Sequence, residues 1–236
     1  MTTKSDAGLE ADDEGRPVAY ARGLQTFMDH ELFVAPGALV PRKETELLAT
    51  VAIAELSPRG DSLRVIDMCC GAGNLACAIA AALPAARVWA ADLTEGAVLV
   101  ARKNVERLGL QERVTVWQGD LFAPLEPLGL QGTVDAVVCN PPYISSNRLA
   151  ARDDLAHEPR EAFDGGPYGI SIHQRVVSAA LPLLRDGGTL LFEFGVGQER
   201  QVKFLFERSK GYEAAQLFPN DQGQPRVISA RKRSQG

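Results

Sequence analysis

The sequence predicts an α/β fold built on a mostly parallel sheet that ends in one antiparallel hairpin. From residue 63 onward, short β-rich segments alternate with segments of helical periodicity. Continuous apolar strands, as at 189–194, are typical of a parallel sheet buried on both faces. The last two predicted strands, 212–217 and 226–230, are joined only by residues 219–224. Because a parallel crossover needs about a dozen residues or more, this pair must be antiparallel.

Turn and stop signals separate the predicted elements. An alanine-rich helix at 75–83 ends near Pro84, and a helix at 172–184 is predicted to stop at Asp186-Gly187-Gly188, since proline and glycine disfavour helix continuation. The other elements are a hairpin within 24–39, helices at 42–55, 95–108 and 198–209, and strands at 63–67, 87–91, 113–117, 134–139, 189–194, 212–217 and 226–230.

Length and composition indicate one domain with a short N-terminal extension. A chain of 236 residues, 45% hydrophobic and 23% charged, has the size and composition of one well-cored globular domain. Residues 1–16 are polar and net acidic, without the apolar core of a signal peptide, so we expect a disordered tail on a cytoplasmic protein. Residues 17–41 are then a hairpin and linker segment, and residues 42–236 form the main domain.

Charge and cysteine content disfavour several classes of partner. The formal net charge is −5 and the isoelectric point about 5.3, whereas nucleic-acid binding normally requires a basic face. The longest apolar stretches are strand-length and broken by charge, so no membrane span is expected. The cysteines lack the paired spacing of a zinc site; they are Cys69, Cys70, Cys77 and Cys139. We therefore expect reduced structural thiols, no metal and no nucleic-acid partner.

A glycine turn follows the first strand of the predicted sheet. It runs from Asp67 through Cys69 and Gly71 to Gly73 and leads into a helix. In an open α/β sheet, ligands bind beyond the carboxyl ends of the strands, and glycine lets the backbone approach a ligand closely. Many strand–helix turns need glycine for packing only, so this turn alone does not distinguish the two roles.

Carboxylates follow the next two strands. Asp92 can accept hydrogen bonds from both ribose hydroxyls, or alternatively be an acid favoured at a helix N-terminus. Asp120 can accept from an adenine amino group, while Leu121 or Phe122 covers the base. Because neither G-x-G-x-x-G nor a P-loop is present, the cofactor should carry ribose and adenine without pyrophosphate. S-adenosyl-L-methionine, whose product is S-adenosyl-L-homocysteine, suits these features.

The segment Asn140-Pro141-Pro142-Tyr143 follows the fourth strand and predicts the chemistry. An amide or aromatic amine is a poor nucleophile because its lone pair is delocalised, so it must be held in line with the departing sulfur. The Asn140 side chain and the Pro141 backbone carbonyl can each accept one N–H, and the prolines make both acceptors rigid. Tyr143 can supply an aromatic wall. A proline-stiffened turn that only ends a strand is the alternative.

These motifs resemble those of the release-factor glutamine methyltransferases, the protein-(glutamine-N5) family. The similarity begins at Pro17-Val18-Ala19-Tyr20 and continues through residues 33–46, 67–73, 92, 120, 140–143 and 157–166. The last of these segments reads His-Glu-Pro-Arg-Glu-Ala-Phe-Asp-Gly-Gly. Amine methyltransferases of nucleic acids share the N-P-P-Y motif but not this segment.

The resemblance implies a class I, Rossmann-like methyltransferase fold with a seven-stranded sheet, and methyl transfer to a glutamine side-chain amide. Asn140, Pro141 and Tyr143 would be catalytic and, with Pro142, would hold the amide. Glu158 would shape the substrate pocket together with Pro159, or alternatively form a structural ion pair. The cofactor-binding residues would be Thr45, Asp67, Cys69, Gly71, Gly73, Asp92, Asp120, Leu121 and Asn140.

The sequence also departs from the family pattern. About thirty residues precede the segment that enters the catalytic domain, fewer than the family's helical docking domain needs. Lys43 stands where the family usually has proline, and Tyr168 replaces an acidic residue. The leading hypothesis is N-methylation of a glutamine-like amide in a protein or peptide, and the alternative is a biosynthetic small-molecule N-methyltransferase. Nucleic-acid amine methylation and a non-catalytic partner protein are less favoured, and the residues do not indicate an oligomeric state.

Overall fold

The computed structural model describes residues 3–4, 10–13, 15–60 and 62–234. The chain begins with small elements outside the main sheet. These are two antiparallel pairs and a short helix: β1 (Thr3–Lys4), β2 (Glu10–Ala11), α1 (Val18–Arg22), β3 (Leu24–Phe27) and β4 (His30–Phe33). The disorder predicted for 1–16 falls partly on residues that are not described, whereas Ala11 is buried and Arg16 donates to Asp12.

The main sheet has seven strands. They are β5 (Leu63–Met68), β6 (Ala86–Asp92), β7 (Val114–Gln118), β8 (Val134–Cys139), β9 (Leu184–Glu193), β10 (Gln216–Pro219) and β11 (Pro225–Arg231). Their order is β10-β11-β9-β8-β5-β6-β7. Strands β5 to β9 pair in parallel, and β11 pairs antiparallel with both β9 and β10. The predicted fold class, with its antiparallel C-terminal hairpin, is confirmed.

Helices cover both faces of this sheet, as continuous apolar strands require. They are α2 (Glu46–Leu56), α3 (Asn74–Ala82), α4 (Glu95–Arg107), α6 (Ser171–Ala180) and α7 (Glu199–Ser209), while the short helix α5 (Ser146–Leu149) packs in a separate small cluster. Successive residues of β5 point to opposite faces, so Val65 packs with α2, α3 and α4 while Ile66 packs with α6 and α7. None of the helices in the described ranges is long and apolar enough to cross a membrane.

One helix prediction was wrong at its end. The helix expected at 172–184 stops at Ala180, and β9 begins at Leu184. The glycines at 187 and 188 therefore lie inside β9, where its pairing with β8 shifts register between Val134 and Ala136. A Cβ on Gly188 would lie 2.8 Å from the carbonyl oxygen of Val134. Here glycine marks a close approach of two strands, which local sequence cannot distinguish from a helix stop.

The hairpin of β3 and β4 is fixed to the sheet domain by Asn104, a fully buried residue of α4. Its Oδ1 accepts a 2.6 Å hydrogen bond from the Phe33 N–H, and its Nδ2 donates to the carbonyls of Phe33 and Ala72, both at 2.9 Å. Ala72 belongs to the turn after β5. Residues 17–41 are thereby tied to the turn that follows the first sheet strand.

The strand order creates a crevice at the carboxyl edge of the sheet. β5 lies between β6 and β8, so the chain proceeds from β5 to β7 in one direction and then returns to the other side of β5. Connections leave such a switch point on opposite faces, and the carboxyl ends around it are the usual ligand site of an open α/β sheet.

Candidate active site

A cavity of about 240 Å³ lies at the switch point, and we call it the inner cavity. Six residues predicted to bind a cofactor line it: Cys69, Gly71, Asp92, Asp120, Leu121 and Asn140. The other three, Thr45, Asp67 and Gly73, do not line it. The fold thus brings together side chains from the ends of four different strands.

Asp92 ends β6 with its carboxylate held by neighbouring loops. Its Oδ2 accepts a 2.9 Å hydrogen bond from the Gly71 N–H. Its Oδ1 accepts from the Thr94 N–H at 3.1 Å and from the Thr94 hydroxyl at 3.3 Å. Burial raises the pKa of Asp92, and these hydrogen bonds oppose that rise. Thr94 caps α4 by accepting from the Ala97 N–H, so Asp92 is not the helix cap and keeps acceptor capacity at the cavity wall.

Two non-glycine residues of the cavity wall adopt left-handed backbone conformations. Cys69 has φ 59° and Leu121 has φ 48°, conformations that cost about 1–3 kcal/mol each and concentrate at functional sites. Gly73 also has a left-handed backbone, at φ 76°, but the reason there is packing against a helix. A Cβ there would lie 3.1 Å from the Cβ of Ala101 on α4, so Gly73 serves helix packing.

Asp67 lies behind the cavity wall and is completely buried in β5. Its Oδ2 accepts a 2.9 Å hydrogen bond from the Ala76 N–H at the start of α3. Its Oδ1 has no hydrogen bond to any described residue. Burial raises the pKa of Asp67 to about 8, with the Asp92 charge adding to the rise and the Ala76 N–H opposing it. Asp67 therefore holds the glycine turn against α3 from behind.

Asp120 lies at the rim of the inner cavity and is paired with Arg175 of α6. The distance from Arg175 Nη2 to Asp120 Oδ2 is 2.7 Å, and both side chains are about half exposed. An exposed pair of this kind is worth only about 0–1 kcal/mol, so a ligand amino group can replace Arg175 at little cost. Arg175 lies 55 residues from its partner, and no local motif pointed to it.

Other walls of the inner cavity come from segments that strand-end reasoning did not assign to it. Residues 37–39, 159, 161–162 and 164, together with Ile172, line it. Residues 37–39 lie close to α4, since a Cβ on Gly96 would be 2.8 Å from the Gly37 carbonyl oxygen. The segment expected to be a hairpin and linker therefore contributes directly to the site.

A second space, which we call the outer groove, lies against the same residues from the opposite side. It measures about 840 Å³, and Leu39, Asn140 and Ala162 line both it and the inner cavity. Tyr143 lines the outer groove, Pro142 lines the inner cavity, and Pro141 is buried and lines neither. Asn140 is thus the polar side chain at the boundary between the two spaces.

Among the described residues, one hydrogen bond orients the Asn140 carboxamide. Its Nδ2 donates a 3.0 Å hydrogen bond to the hydroxyl of Thr45, which is buried at the start of α2. Across the described part of the chain, neither the Asn140 Oδ1 nor the Pro141 carbonyl accepts a hydrogen bond. The Asn140 Oδ1 at this boundary and the carbonyl of the adjacent Pro141 therefore have no donor among the described residues.

Tyr143 is held by charged side chains at the ends of β9 and β11. Its hydroxyl donates to Glu193 Oε1 at 3.2 Å and accepts from Arg226 Nη2 at 3.1 Å. Burial raises the pKa of Tyr143, the Glu193 charge raises it further, and Arg226 opposes the rise. Glu193 and Arg226 were not predicted, because they sit in apolar strands whose pattern indicates only burial.

Glu158 has the ion-pair role that the sequence left open. It is buried and lines neither space; Arg42 donates to its Oε2, and the Val40 N–H donates to its Oε1 at 2.9 Å. The pair connects the segment before α2 with the loop that carries Pro159, a residue of the inner cavity. Glu158 thus acts on the cavity from a distance, by fixing two segments that contribute residues to it.

Comparison with known proteins agrees with this geometry. The methyltransferase small domain family model matches residues 43–205. The release factor glutamine methyltransferase of Moorella thermoacetica is 39% identical over 94% of this chain and 77% of its own length. The solved release-factor-specific protein-(glutamine-N5) methyltransferase of Alicyclobacillus acidocaldarius is 25% identical, with a TM-score of 0.50 over 85% of this chain and 99% of that one.

A further solved structure shares the fold. The Thermus thermophilus 16S rRNA N2 G1207 methyltransferase, in complex with AdoMet and guanosine, has a TM-score of 0.64 and 21% identity, over 89% of this chain and 50% of that one. The sheet order and the strand-end site define an S-adenosylmethionine-dependent methyltransferase. Within that class, the chain belongs to the release factor glutamine methyltransferase family, as its motifs predicted.

The inner cavity fits S-adenosylmethionine by the charge and the apolar character of its walls. Four carboxylates line it, from Asp92, Asp120, Glu161 and Asp164, and no Lys or Arg of the described ranges does. Such a wall disfavours a phosphate-bearing ligand and suits one that carries a sulfonium and an amino group. Asp92 offers acceptors for ribose hydroxyls, and the remaining wall is mostly apolar.

Proposed function

We propose that this chain transfers a methyl group from S-adenosylmethionine to the side-chain amide nitrogen of a glutamine in a protein. The observation that carries the proposal is the position of Asn140. It stands where the inner cavity meets the outer groove, with its Oδ1 free of protein donors. A primary amide carries two N–H donors, and the Asn140 Oδ1 and the Pro141 carbonyl are two acceptors on consecutive residues.

The residues of the chain bind and orient the acceptor amide. Asn140 and Pro141 each accept one N–H, which fixes the plane of the amide and turns its nitrogen toward the inner cavity. S-adenosylmethionine supplies an electrophilic methyl carbon on a positively charged sulfur. Transfer would break the bond between this carbon and the sulfur and leave S-adenosylhomocysteine, and the nitrogen would release one proton to solvent. Catalysis here consists of positioning and of acceptors set in advance, with the Tyr143 ring forming a wall of the groove.

The outer groove supports a protein as the substrate. It is several times larger than the inner cavity and carries exposed hydrophobic side chains, with Tyr168 82% and Val196 55% exposed. A polypeptide segment can lie on such a surface while one side chain enters toward Asn140. The relatives are named for glutamine methylation of release factors, which favours a release factor over a biosynthetic small molecule.

The test is transfer of labelled methyl to a purified release factor of the source organism, with the modified residue mapped by mass spectrometry. We expect label on one glutamine side chain. Asn140→Ala should lower kcat about 100-fold or more, because removing one preorganised hydrogen-bonding group at the reacting atom has effects of this size. Asn147→Ala, an exposed asparagine on α5, is the matched control and should retain activity. A release factor that takes up no label would contradict the proposal.

A further inference from the structure

We propose that Glu193 is a positioning residue, which acts through Thr45 to hold the Asn140 Oδ1 toward the acceptor amide. The inference rests on the proposed function for its catalytic meaning, but its structural content can be measured without turnover. It also assigns Thr45 to the orientation of Asn140 and not to contact with the cofactor.

Glu193 is a buried carboxylate beside the outer groove. Its side chain ends β9, only 2% of its surface is exposed, and it lines the groove. Oε1 accepts from the Tyr143 hydroxyl at 3.2 Å and from Arg226 Nη2 at 3.1 Å. Oε2 is buried and completes no hydrogen bond of normal geometry with a described residue. One oxygen of the carboxylate is therefore available to a nearby donor.

Thr45 supplies that donor in the proposed arrangement. Its hydroxyl accepts the 3.0 Å hydrogen bond from Asn140 Nδ2, so its own hydrogen must be directed elsewhere. Burial raises the pKa of the Glu193 carboxyl, and the Arg226 charge and the Thr45 hydroxyl oppose that rise. In this arrangement Asn140 donates to Thr45, and Thr45 donates to Glu193. An ionised Glu193 has no hydrogen to donate, so the direction of these hydrogen bonds is fixed.

This direction decides which end of Asn140 faces the substrate. Without an acceptor at Glu193, the Thr45 hydroxyl can donate to Asn140 Oδ1 after the carboxamide turns over. The Asn140 NH₂ would then face an incoming amide that also presents N–H donors, and binding would fail for lack of an acceptor. With Glu193 present, the carboxamide keeps its Nδ2 on Thr45 and its Oδ1 free.

The same carboxylate fixes the Tyr143 ring. Arg226 has only donors, and its Nη2 contacts the Tyr143 hydroxyl at 3.1 Å, so that hydroxyl can give its hydrogen only to Glu193 among these partners. The Arg226 guanidinium also lies 5.7 Å from the Tyr143 ring centre. Replacing Glu193 would leave Arg226 buried without its counter-charge, a change that can unfold the chain. Thr45 is therefore the better position for a test.

The decisive comparison uses Thr45→Val, Thr45→Ser and Thr189→Val. Valine keeps the shape of threonine and removes the hydroxyl, whereas serine keeps the hydroxyl. Thr189 is the matched control, because it is also fully buried, lies in the same strand as Glu193, and bonds to Arg59 away from both spaces. Three properties are measured: methyl transfer to the release factor, S-adenosylmethionine affinity by calorimetry, and hydrogen exchange of the Asn140 side-chain NH₂ by ¹⁵N NMR.

We expect Thr45→Val to lower kcat by about tenfold, the value of one hydrogen bond at the reacting group. S-adenosylmethionine affinity should stay within about twofold, and the Asn140 NH₂ should exchange faster. Thr45→Ser should restore all three properties, and Thr189→Val should leave them unchanged. Weaker cofactor binding in Thr45→Val with an unaltered Asn140 NH₂ signal would overturn the inference and make Thr45 a cofactor residue.

The NMR measurement separates this inference from the proposed function. If wild-type protein methylates no glutamine but its Asn140 NH₂ is protected and loses protection in Thr45→Val, the proposed substrate is wrong and the orientation of Asn140 by Thr45 stands. If wild-type protein is active but Thr45→Val retains full kcat and full protection, the function stands and the role given to Glu193 and Thr45 is wrong.

Discussion

The side-chain amide of Gln198 donates a 3.0 Å hydrogen bond to the backbone carbonyl of Tyr143. The same nitrogen donates to the Gly169 carbonyl at 3.2 Å, and the Gln198 Oε1 accepts from the Gly195 N–H at 2.8 Å. One side chain before α7 therefore connects the loops that follow β8 and β9 with the loop that precedes α6. A Cβ on Gly169 would collide with the Tyr143 carbonyl oxygen, so these loops are in direct backbone contact.

Gln198→Ala should loosen the loop that carries Asn140 and Tyr143 without disturbing the inner cavity. We expect kcat/KM to fall about tenfold, since two half-buried backbone carbonyls and one N–H lose their partner. S-adenosylmethionine affinity, measured by calorimetry, should change little because Gln198 does not line the inner cavity. Gln216→Ala, at an exposed position of β10, is the control. An equal loss in both variants would argue against the connecting role of Gln198.

Asp92 and Asp120 should differ in their importance for cofactor binding. Asp92→Asn places an NH₂ group where the structure needs acceptors for Gly71 and Thr94, so we expect about 10- to 100-fold weaker S-adenosylmethionine binding. Asp120→Asn changes an exposed, ion-paired group, and its effect should be about two- to threefold. Calorimetric titration of both variants measures the difference. Equal losses of affinity would mean that Asp120 at the exposed rim contributes as much to cofactor binding as Asp92.

The Arg42–Glu158 pair should stabilise the segments around the site only while both charges are present. Its side chains are 10% and 3% exposed, and removing one member of such a buried pair costs about 3–5 kcal/mol. Arg42→Met and Glu158→Leu should each lower the free energy of unfolding in urea by that amount, and the double variant should cost less than their sum. Arg107→Ala, in an exposed pair with Glu31, should cost under about 1 kcal/mol. If the losses in free energy of unfolding of the two single variants simply add in the double variant, Arg42 and Glu158 are not coupled.

Asp67 should make the chain less stable as pH rises. Its pKa is about 8 in the folded chain, against an ordinary value of 3.8. Below both values the group is protonated in both states. Between them the folded chain keeps a proton that the unfolded chain releases, so the free energy of unfolding falls by up to about 1.4 kcal/mol for each unit that the pH rises. Above the folded pKa the loss is complete.

Asp67→Asn resembles the protonated acid and should remove this slope. We expect the variant to gain stability over wild type between about pH 5 and about pH 8, measured as the free energy of unfolding in urea. Asp153→Asn, which alters an exposed carboxylate, should show no such gain. Parallel pH curves for wild type and Asp67→Asn would contradict the assignment.

Sequence patterns predicted the sheet and six of the residues that line the inner cavity, because both depend on local signals. Apolar runs mark the strands, and the residue after each parallel strand must lie at the same sheet edge. Asp92, Leu121 and Asn140 are such residues, and the structure brings them together. The DGG segment at 186–188 misled the prediction of α6, since a glycine required by a neighbouring strand looks the same in sequence as a glycine that ends a helix.

The partners that orient the site could not be found in this way. Thr45 meets Asn140 across 95 residues of sequence, and Glu193 meets Tyr143 across 50. Neither contact follows from periodicity, since Glu193 ends an otherwise apolar strand and gives no signal of the groove beside it. Thr45 was expected at the cofactor from the family resemblance, and in the structure its hydroxyl accepts a hydrogen bond from Asn140.

The sequence by itself determined the fold class, the family and the strand ends where the chemistry is placed, because periodicity and short motifs act over a few residues at a time. Only the tertiary structure decided which polar groups remain unpaired. The free Asn140 Oδ1, the buried Glu193 Oε2 and the ion pair of Glu158 depend on distances between segments that are far apart in sequence. Hydrogen-bond direction is a property of such assembled groups, and it exists only once the chain has folded.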